Sequence, residues 1–287
     1  MGKSKILELI KKEGILVLPA VYDALTAKIV ERAGFPAILM GGYSVSAVRL
    51  GKPDVGFLTM TEMADQVKII AEAVSVPLIA DGDTGYGNPL NVMRTVEEYQ
   101  KAGAAGIILE DQQFPKRCGH MEGKQVIPME EHLKKLEAAI EARGDRDTLI
   151  ITRTDSLAPL GLQEAIRRGK AYRDAGADVV FVEAPRTVEE LKAIREAIPG
   201  VPLVANIIEG GKTPVLSARE LKEMGYEIYF CGLTTVLVAA KAIMNAMTHL
   251  RQEGSTAGLM DQMFSFAEFN ELIGLKEFSL LENRFKY

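Results

Sequence analysis

The 287-residue sequence contains no tryptophan, only two cysteines and only three histidines. Two thiols make one disulfide at most, which excludes a small disulfide-stapled scaffold and makes a reducing compartment the natural setting. There is no surplus of positive charge. Thirty-four Lys and Arg against 39 Asp and Glu leave a formal net charge of −5, so nothing neutralises a phosphate backbone and nucleic acid is not an expected partner. No apolar run approaches the roughly 20 residues needed to span a bilayer. The opening Met1-Gly-Lys-Ser-Lys-Ile-Leu-Glu has no apolar targeting segment, and Ile6 spoils a myristoylation pattern. No membrane contact and a cytoplasmic location are expected. What is present is ordinary globular composition, 47% hydrophobic and 25% charged, with no Pro/Ser/Gly-rich linker, and residues 1–287 read as one domain.

Short aliphatic or β-branched runs alternate with long amphipathic stretches from end to end. Strands are predicted at 15–20, 37–40, 77–83, 106–111, 149–154, 179–184, 202–206 and 227–232. Most are continuous hydrophobic runs, as parallel strands covered on both faces require. Capping boxes are predicted at Thr59/Glu62, Thr187/Glu190 and Ser217/Glu220. Helices are expected to stop at Gly34, Gly103, Gly176 and Gly225, where glycine takes a left-handed backbone without a steric penalty. Eight βα units in an undivided chain predict a (β/α)8 TIM-type barrel. An open doubly wound sheet shares the alternation, but no dinucleotide fingerprint follows the first strand. Residues 234–253 read as helix, and 255–287 as an apolar C-terminal helical extension that a neighbouring subunit could cover.

In such a barrel, chemistry belongs at the C-terminal ends of the strands. Those ends carry Asp81 and Asp83, Glu110 and Asp111, Arg153 and Asp155, then Glu183, Asn206, and Thr234 with Thr235. Any one acid there could be a solvated turn former or helix cap. Together they converge on one mouth, where like charges demand a cation. Oxygen donors without paired His or Cys suit Mg²⁺, with Mn²⁺ possible, rather than zinc. Arg153 could pair with an acid or hold a substrate carboxylate bidentately. The glycine-rich loop 82–89 is neither GxGxxG nor a Walker motif. No lysine stands at a strand end, which counts against Schiff-base chemistry.

After the fourth strand comes a polar connection, Gln112-Gln-Phe-Pro-Lys-Arg-Cys-Gly-His-Met-Glu-Gly-Lys124. Cys118 lies among Lys116, Arg117 and His120, which should lower its pKa toward neutrality. A mobile loop carrying such a thiol suits general acid/base work over a bound substrate better than thiol-protease chemistry, for which no triad partner is visible.

At these residues the chain resembles the isocitrate lyase/phosphoenolpyruvate mutase superfamily over nearly its whole length. The resemblance rests on Lys-Arg-Cys-Gly-His (116–120), the signature of the carbon–carbon lyase branch, on Asp81-Gly-Asp-Thr-Gly-Tyr-Gly87, and on Leu109-Glu-Asp-Gln112. Ala205-Asn-Ile-Ile-Glu-Gly-Gly-Lys-Thr-Pro214 and Pro19-Ala-Val-Tyr-Asp-Ala24 are further matching blocks. It implies a Mg²⁺-dependent barrel whose C-terminal helix is exchanged between subunits in a homotetramer. Asp81 would hold the metal, with Asp83 and Glu110 acting directly or through water. Gly41, Gly42 and Tyr43 would offer donors to the substrate 2-carboxylate. Asp54, His120, Arg153, Glu183, Asn206 and Thr235 would complete the substrate site, and Cys118 would move a proton. Two positions depart from the family: Gly41 stands where Ser or Thr is usual, and Leu233-Thr-Thr235 replaces Pro-Leu-Ser.

The implied reaction is retro-Claisen cleavage of a 2-hydroxy dicarboxylate of the 2-methylisocitrate or 2,3-dimethylmalate type, giving pyruvate or a related oxo acid and a carboxylic acid. Cys118, Arg153, Tyr43 (as a candidate base) and Glu110 are the expected catalytic set. The rival is phosphorus–carbon bond formation of the carboxyvinyl-carboxyphosphonate phosphorylmutase type, and a catalytically silent barrel is the third reading.

Overall fold

A computed structural model describes residues 4–286; residues 1–3 of the N-terminal reading and residue 287 of the extension lie outside them. The strands are β1 (Leu16–Val21), β2 (Ile38–Met40), β3 (Leu78–Asp81), β4 (Gly106–Glu110), β5 (Leu149–Thr154), β6 (Val179–Val182), β7 (Leu203–Ile207) and β8 (Ile228–Cys231). Each pairs in parallel with the next, and β8 pairs with β1 from Leu16↔Ile228 to Pro19↔Cys231, closing an eight-stranded barrel. The expected fold is present. Observed strands β3 and β6 stop two residues before their predicted ends, because Asp83 (φ 47°) and Ala184 (φ 57°) turn the chain out of the ladder.

Two apolar cores flank the sheet. Inward-facing Leu16, Leu18, Ile79, Ile151, Phe181 and Phe230 fill the barrel. Helix Lys5–Glu13, unread in the sequence, inserts Ile6 and Ile10 into that core and ends two residues before β1 begins. It therefore seals the end opposite the candidate chemistry. Outward-facing residues such as Ile107, Ile150 and Val180 pack against the surrounding helices through Val67, Tyr99, Leu136, Tyr172 and Leu191. Each fully buried aliphatic side chain contributes about 1.5–3 kcal/mol.

The local punctuation is largely as predicted. Thr59/Glu62 and Ser217/Glu220 form reciprocal capping boxes. At Thr187 only half of one forms: the hydroxyl accepts from Glu190 N, but the Glu190 carboxylate turns to the Arg186 amide at 2.6 Å. Gly103 and Gly176 end their helices at φ 99° and 97°.

The helix after β8, Thr234–Glu253, fully buries none of its 20 residues: its first turn rests on β1 through Thr235 and Val236, and most of the remainder is exposed. A 3₁₀ turn (Ala257–Gln262) and helices Phe266–Leu272 and Leu275–Arg284 follow. None of the described helices is long and apolar enough to cross a membrane.

Candidate active site

At the C-terminal mouth of the barrel lies a cavity of about 60 Å³. Its floor is apolar, from Leu39, Ile108, Phe181 and Phe230, and its wall carries Gly41, Gly42, Tyr43, Asp54, Asp81, Arg153, Glu183 and Asn206. Cys118, Gly119 and His120 line it from above. A larger cavity of about 850 Å³ lies outside the mouth between Phe57, Tyr86, Phe114 and Lys135. The smaller one is the candidate active site, because there the ends of separate strands and the cysteine loop face one another.

The strand-end groups form a charged rim that is almost wholly buried. Arg153 lies 2.9 Å from Asp155, 3.2 Å from Glu110 and 3.4 Å from Glu183, with its guanidinium 5.4 Å from the centre of the Phe181 ring. Arg153 is thus ion-paired with three acids, but its hydrogen bond among the described residues is Nη2 to Asp155 Oδ1 at 3.0 Å, and Nε has no hydrogen-bond partner there. Burial alone would raise Glu183; Arg153 and His120 hold it below the ordinary glutamate value. Burial pushes Glu110 well up, with Asp155 and Asp81 adding to the effect against Arg153. Burial likewise lifts Asp83 to about 6, Lys116 opposing and Asp81 and Asp54 assisting. Asn206 Nδ2 donates to both Glu183 oxygens at 3.3 Å.

The loop from Gln112 to Val126, whose two ends form an isolated antiparallel bridge, folds over this rim. Lys116, 3% exposed, inserts its ammonium between Asp54 (2.7 Å) and Asp83 (2.5 Å). Lys124 reaches Asp155 at 2.9 Å and donates to the Gly119 carbonyl. His120 Nδ1 accepts from Lys212 N at 2.9 Å, which leaves the ring proton on Nε2, 3.2 Å from Glu183 Oε1. Cys118 N donates to the Asp54 carbonyl. Gly119 permits this closeness: a Cβ there would lie 2.4 Å from Glu183 Cγ and 2.6 Å from Arg153 Nη2.

Three expectations are corrected. The thiol of Cys118 is pushed up to about 11, not down, because burial dominates and Asp54 and Glu183 add to it. Lys116 faces acids and His120 faces Glu183; the loop's cations neutralise the rim instead of activating the thiol. Thr235 is not in the cavity, since its hydroxyl turns to the Ala20 carbonyl at 2.5 Å and Leu233 lines the wall there. The amide of Gly42 donates to Asp81 at 3.1 Å, so among the three expected carboxylate donors it is already engaged. Tyr43 and Ser44, in the first turn of helix Gly42–Leu50, keep amides without an intrahelical partner.

Asp81, Asp83 and Glu110 do gather, with Asp83 N donating to Asp81 Oδ1 at 3.0 Å. Among the described residues, however, no group of three or more His, Cys, Asp or Glu is arranged to hold a metal; Lys116 and Arg153 supply the nearby positive charge. Their chemistry still fits a hard divalent ion. Glu110 Oε1 is buried without a hydrogen-bond partner among the described residues, and six acids (Asp54, Asp81, Asp83, Glu110, Asp155, Glu183) share the rim with three full cations (Lys116, Lys124, Arg153). Sequence alone presents Lys116 as a neighbour of the thiol rather than a partner of Asp54 and Asp83, and gives Lys124 and Gly119 no role; the available signal is a thiol flanked by several lysines in one glycine-containing loop.

Residues 6–251 match the family model described as phosphoenolpyruvate phosphomutase. The chain is 48% identical to 2,3-dimethylmalate lyase of Eubacterium barkeri over 282 residues, covering 98% of this chain and 97% of that one. It is 47% identical to the chloroplastic carboxyvinyl-carboxyphosphonate phosphorylmutase of Arabidopsis thaliana, covering 96% and 83% of the two chains. Among solved structures, oxaloacetate acetylhydrolase with 3,3-difluorooxalacetate superposes with a TM-score of 0.92 at 37% identity, covering 98% and 96%. Phosphonopyruvate hydrolase with oxalate and Mg²⁺ superposes at 0.88 and 34%, covering 99% of each. Sequence, barrel and rim agree, and the chain belongs to the isocitrate lyase/phosphoenolpyruvate mutase superfamily.

Proposed function

We propose that this chain is a Mg²⁺-dependent carbon–carbon lyase that cleaves a 2-hydroxy dicarboxylate of the 2,3-dimethylmalate or 2-methylisocitrate type into an oxo acid and a carboxylic acid. One observation carries the reading: a protonated thiol, Cys118, sits in a folded-over loop and lines the same small cavity as Arg153, Asp81 and Asp54. The similarity to 2,3-dimethylmalate lyase supports it.

Asp81, with Asp83 and Glu110, is the set that would hold Mg²⁺ or Mn²⁺. When bound, the ion supplies Lewis acidity toward the oxygens of the substrate 2-hydroxyl and 2-carboxylate. The remaining work falls to the chain. First-turn amides at Tyr43 and Ser44 donate to the 2-carboxylate at the positive end of their helix. Tyr43 is the candidate base: its phenolate oxygen would accept the hydroxyl proton. Scission of C2–C3 then leaves the second fragment as a carboxylate-stabilised carbanion, whose charge Arg153 offsets. The thiol of Cys118, neutral at pH 7 because burial holds its pKa near 11, donates the proton to that carbon, while the loop keeps water out. A thiol of this kind suits an acid better than a nucleophile.

The test is to incubate the protein and Mg²⁺ with 2,3-dimethylmalate, 2-methylisocitrate, citramalate, isocitrate and oxaloacetate and to follow release of the oxo acid, or of oxalate from oxaloacetate. Release of pyruvate or a homologue from a 2-hydroxy acid, abolished by chelation, is the expected result. Turnover of carboxyphosphonoenolpyruvate alone, followed by phosphorus-31 NMR, would replace it with the phosphorylmutase reading that the plant relative supports.

The working assembly proposed is a homotetramer built from two helix-exchanged dimers. The apolar helices after β8 support it: Val238, Met244, Phe266 and Phe278 are 63–84% exposed in the single chain.

A further inference from the structure

Asp111 stands one residue beyond β4 and the proposed chemistry does not use it, yet it is completely buried and accepts four hydrogen bonds. Its Oδ2 takes Thr154 Oγ1 (2.7 Å), Arg168 Nη1 (2.8 Å) and Tyr172 OH (2.9 Å). Its Oδ1 takes the backbone N–H of Asp155 at 2.9 Å. Neither Asp111, Arg168 nor Tyr172 lines the active-site cavity. Arg168 and Tyr172 belong to helix Leu162–Asp174, on the outer face of the barrel. The same cluster grips the loop that carries Cys118. Arg168 Nη1 donates to the Ile127 carbonyl at 3.0 Å, and Ile127 N donates to the Asp111 carbonyl at 2.9 Å, just where the loop rejoins the barrel.

We infer that Asp111, Arg168 and Tyr172 form a positioning unit behind the active site, which fixes Asp155 from outside and anchors the return arm of the cysteine loop. Asp155 is where the two converge: its carboxylate holds Arg153 within the cavity and receives Lys124 from the loop. A peptide clamped at its N–H and a loop clamped at Ile127 share one buried carboxylate, so loop closure and the aim of Arg153 are set together. An error of about 1 Å in such a scaffold is worth up to roughly a hundredfold in rate.

The experiment compares Tyr172→Phe, Arg168→Lys and the double variant Asp111→Leu/Arg168→Met, which removes both charges together so that neither is stranded in the core. Trypsin reads the loop directly, since Lys116 and Lys124 are 3% and 6% exposed in the closed form, and mass spectrometry assigns each cut. Expected is cleavage after Lys116, Arg117 or Lys124 about tenfold faster in the double variant and a few-fold faster in the single ones, with cutting at the exposed Arg219 unchanged. In the lyase assay kcat should fall by a similar factor with little change in KM. Loop cleavage at the wild-type rate, or cleavage accelerated equally at Arg219, would overturn the inference and leave the cluster a packing feature. Should the double variant not fold, Tyr172→Phe and Arg168→Lys decide it by the same criteria. The kinetic arm rests on the proposed lyase reading, whereas the proteolysis arm does not, so an inactive wild-type protein would refute that reading alone.

Discussion

The mouth of the barrel and the helices after β8 invert the usual rule of solvation in opposite senses. The mouth buries ionised groups: Lys116, Lys124, Arg153, Asp155 and Glu183 are each at most 9% exposed and held in pairs or triads. The C-terminal helices do the reverse, leaving Phe266 84% and Phe285 70% exposed. Buried charges are costly unless each is matched, and exposed apolar area is costly unless it is covered. One region is therefore organised for a charged ligand and the other for an apolar surface. The contrast separates the proposed chemistry from the proposed assembly.

That contrast can be broken at four points. The largest effect is expected at the thiol. Cys118→Ser should lower kcat by about 10²–10⁴-fold, the usual worth of a positioned proton donor, while Mg²⁺-dependent thermal stabilisation by pyruvate or oxalate persists. Normal turnover would remove Cys118 from the chemistry. Next is assembly. Glutamate at both Phe266 and Phe278 should convert the sedimenting species from an oligomer to a monomer, whereas an unchanged mass would show that this apolar face is covered in some other way.

A third effect belongs to the mouth's outer support. His132 is buried against the Tyr172 ring with Nε2 2.9 Å from Thr152 Oγ1, and Nδ1 has no partner among the described residues. Burial lowers its pKa from 6.5 to about 4; Lys135 and Arg168 push the same way, and Asp111 opposes. Because the folded-state value is depressed, the unfolded chain binds the extra proton between pH 6.5 and 4. Stability is therefore full above that window and is lost as the pH falls through it, by roughly 3 kcal/mol in all. Urea titrations at pH 7 and 4.5 should show this slope, and it should be absent in His132→Phe. The smallest change sharpens loop closure. Gly119→Ala adds one methyl against Glu183 and Arg153 and should reduce kcat about tenfold or more without altering the unfolding midpoint by more than a degree or two. An active Gly119→Ala would mean that catalysis does not need the closed loop.

Much of this architecture could be read residue by residue. The eight strands are local hydrophobic runs, and the capping boxes are contacts three residues apart, so neighbours in sequence suffice to specify them. Most of the rim was legible because a closed barrel brings all strand ends to one mouth: Asp81, Arg153, Glu183 and Asn206 all line the cavity. What could not be read depends on distant partners. Lys116 meets Asp54 62 residues away and Lys124 meets Asp155 31 residues away; in sequence they are simply basic neighbours of a cysteine. The direction of the Cys118 shift failed for the same reason, since the cations near it along the chain point to acids and burial prevails. Thr235 failed because a hydroxyl in the first turn of a helix can satisfy itself on the adjacent strand.

By itself the sequence determined the barrel, the positions of its acids and the thiol-bearing loop, because period, capping and strand-end placement are short-range properties of the backbone. The tertiary structure alone decided which cation answers which acid, that Cys118 stays protonated, that Gly119 must lack a side chain, and that Asp111 reaches both the loop and the rim. Those outcomes depend on dielectric and on separations of a few ångströms between segments far apart in the chain, and neither exists until the barrel has closed.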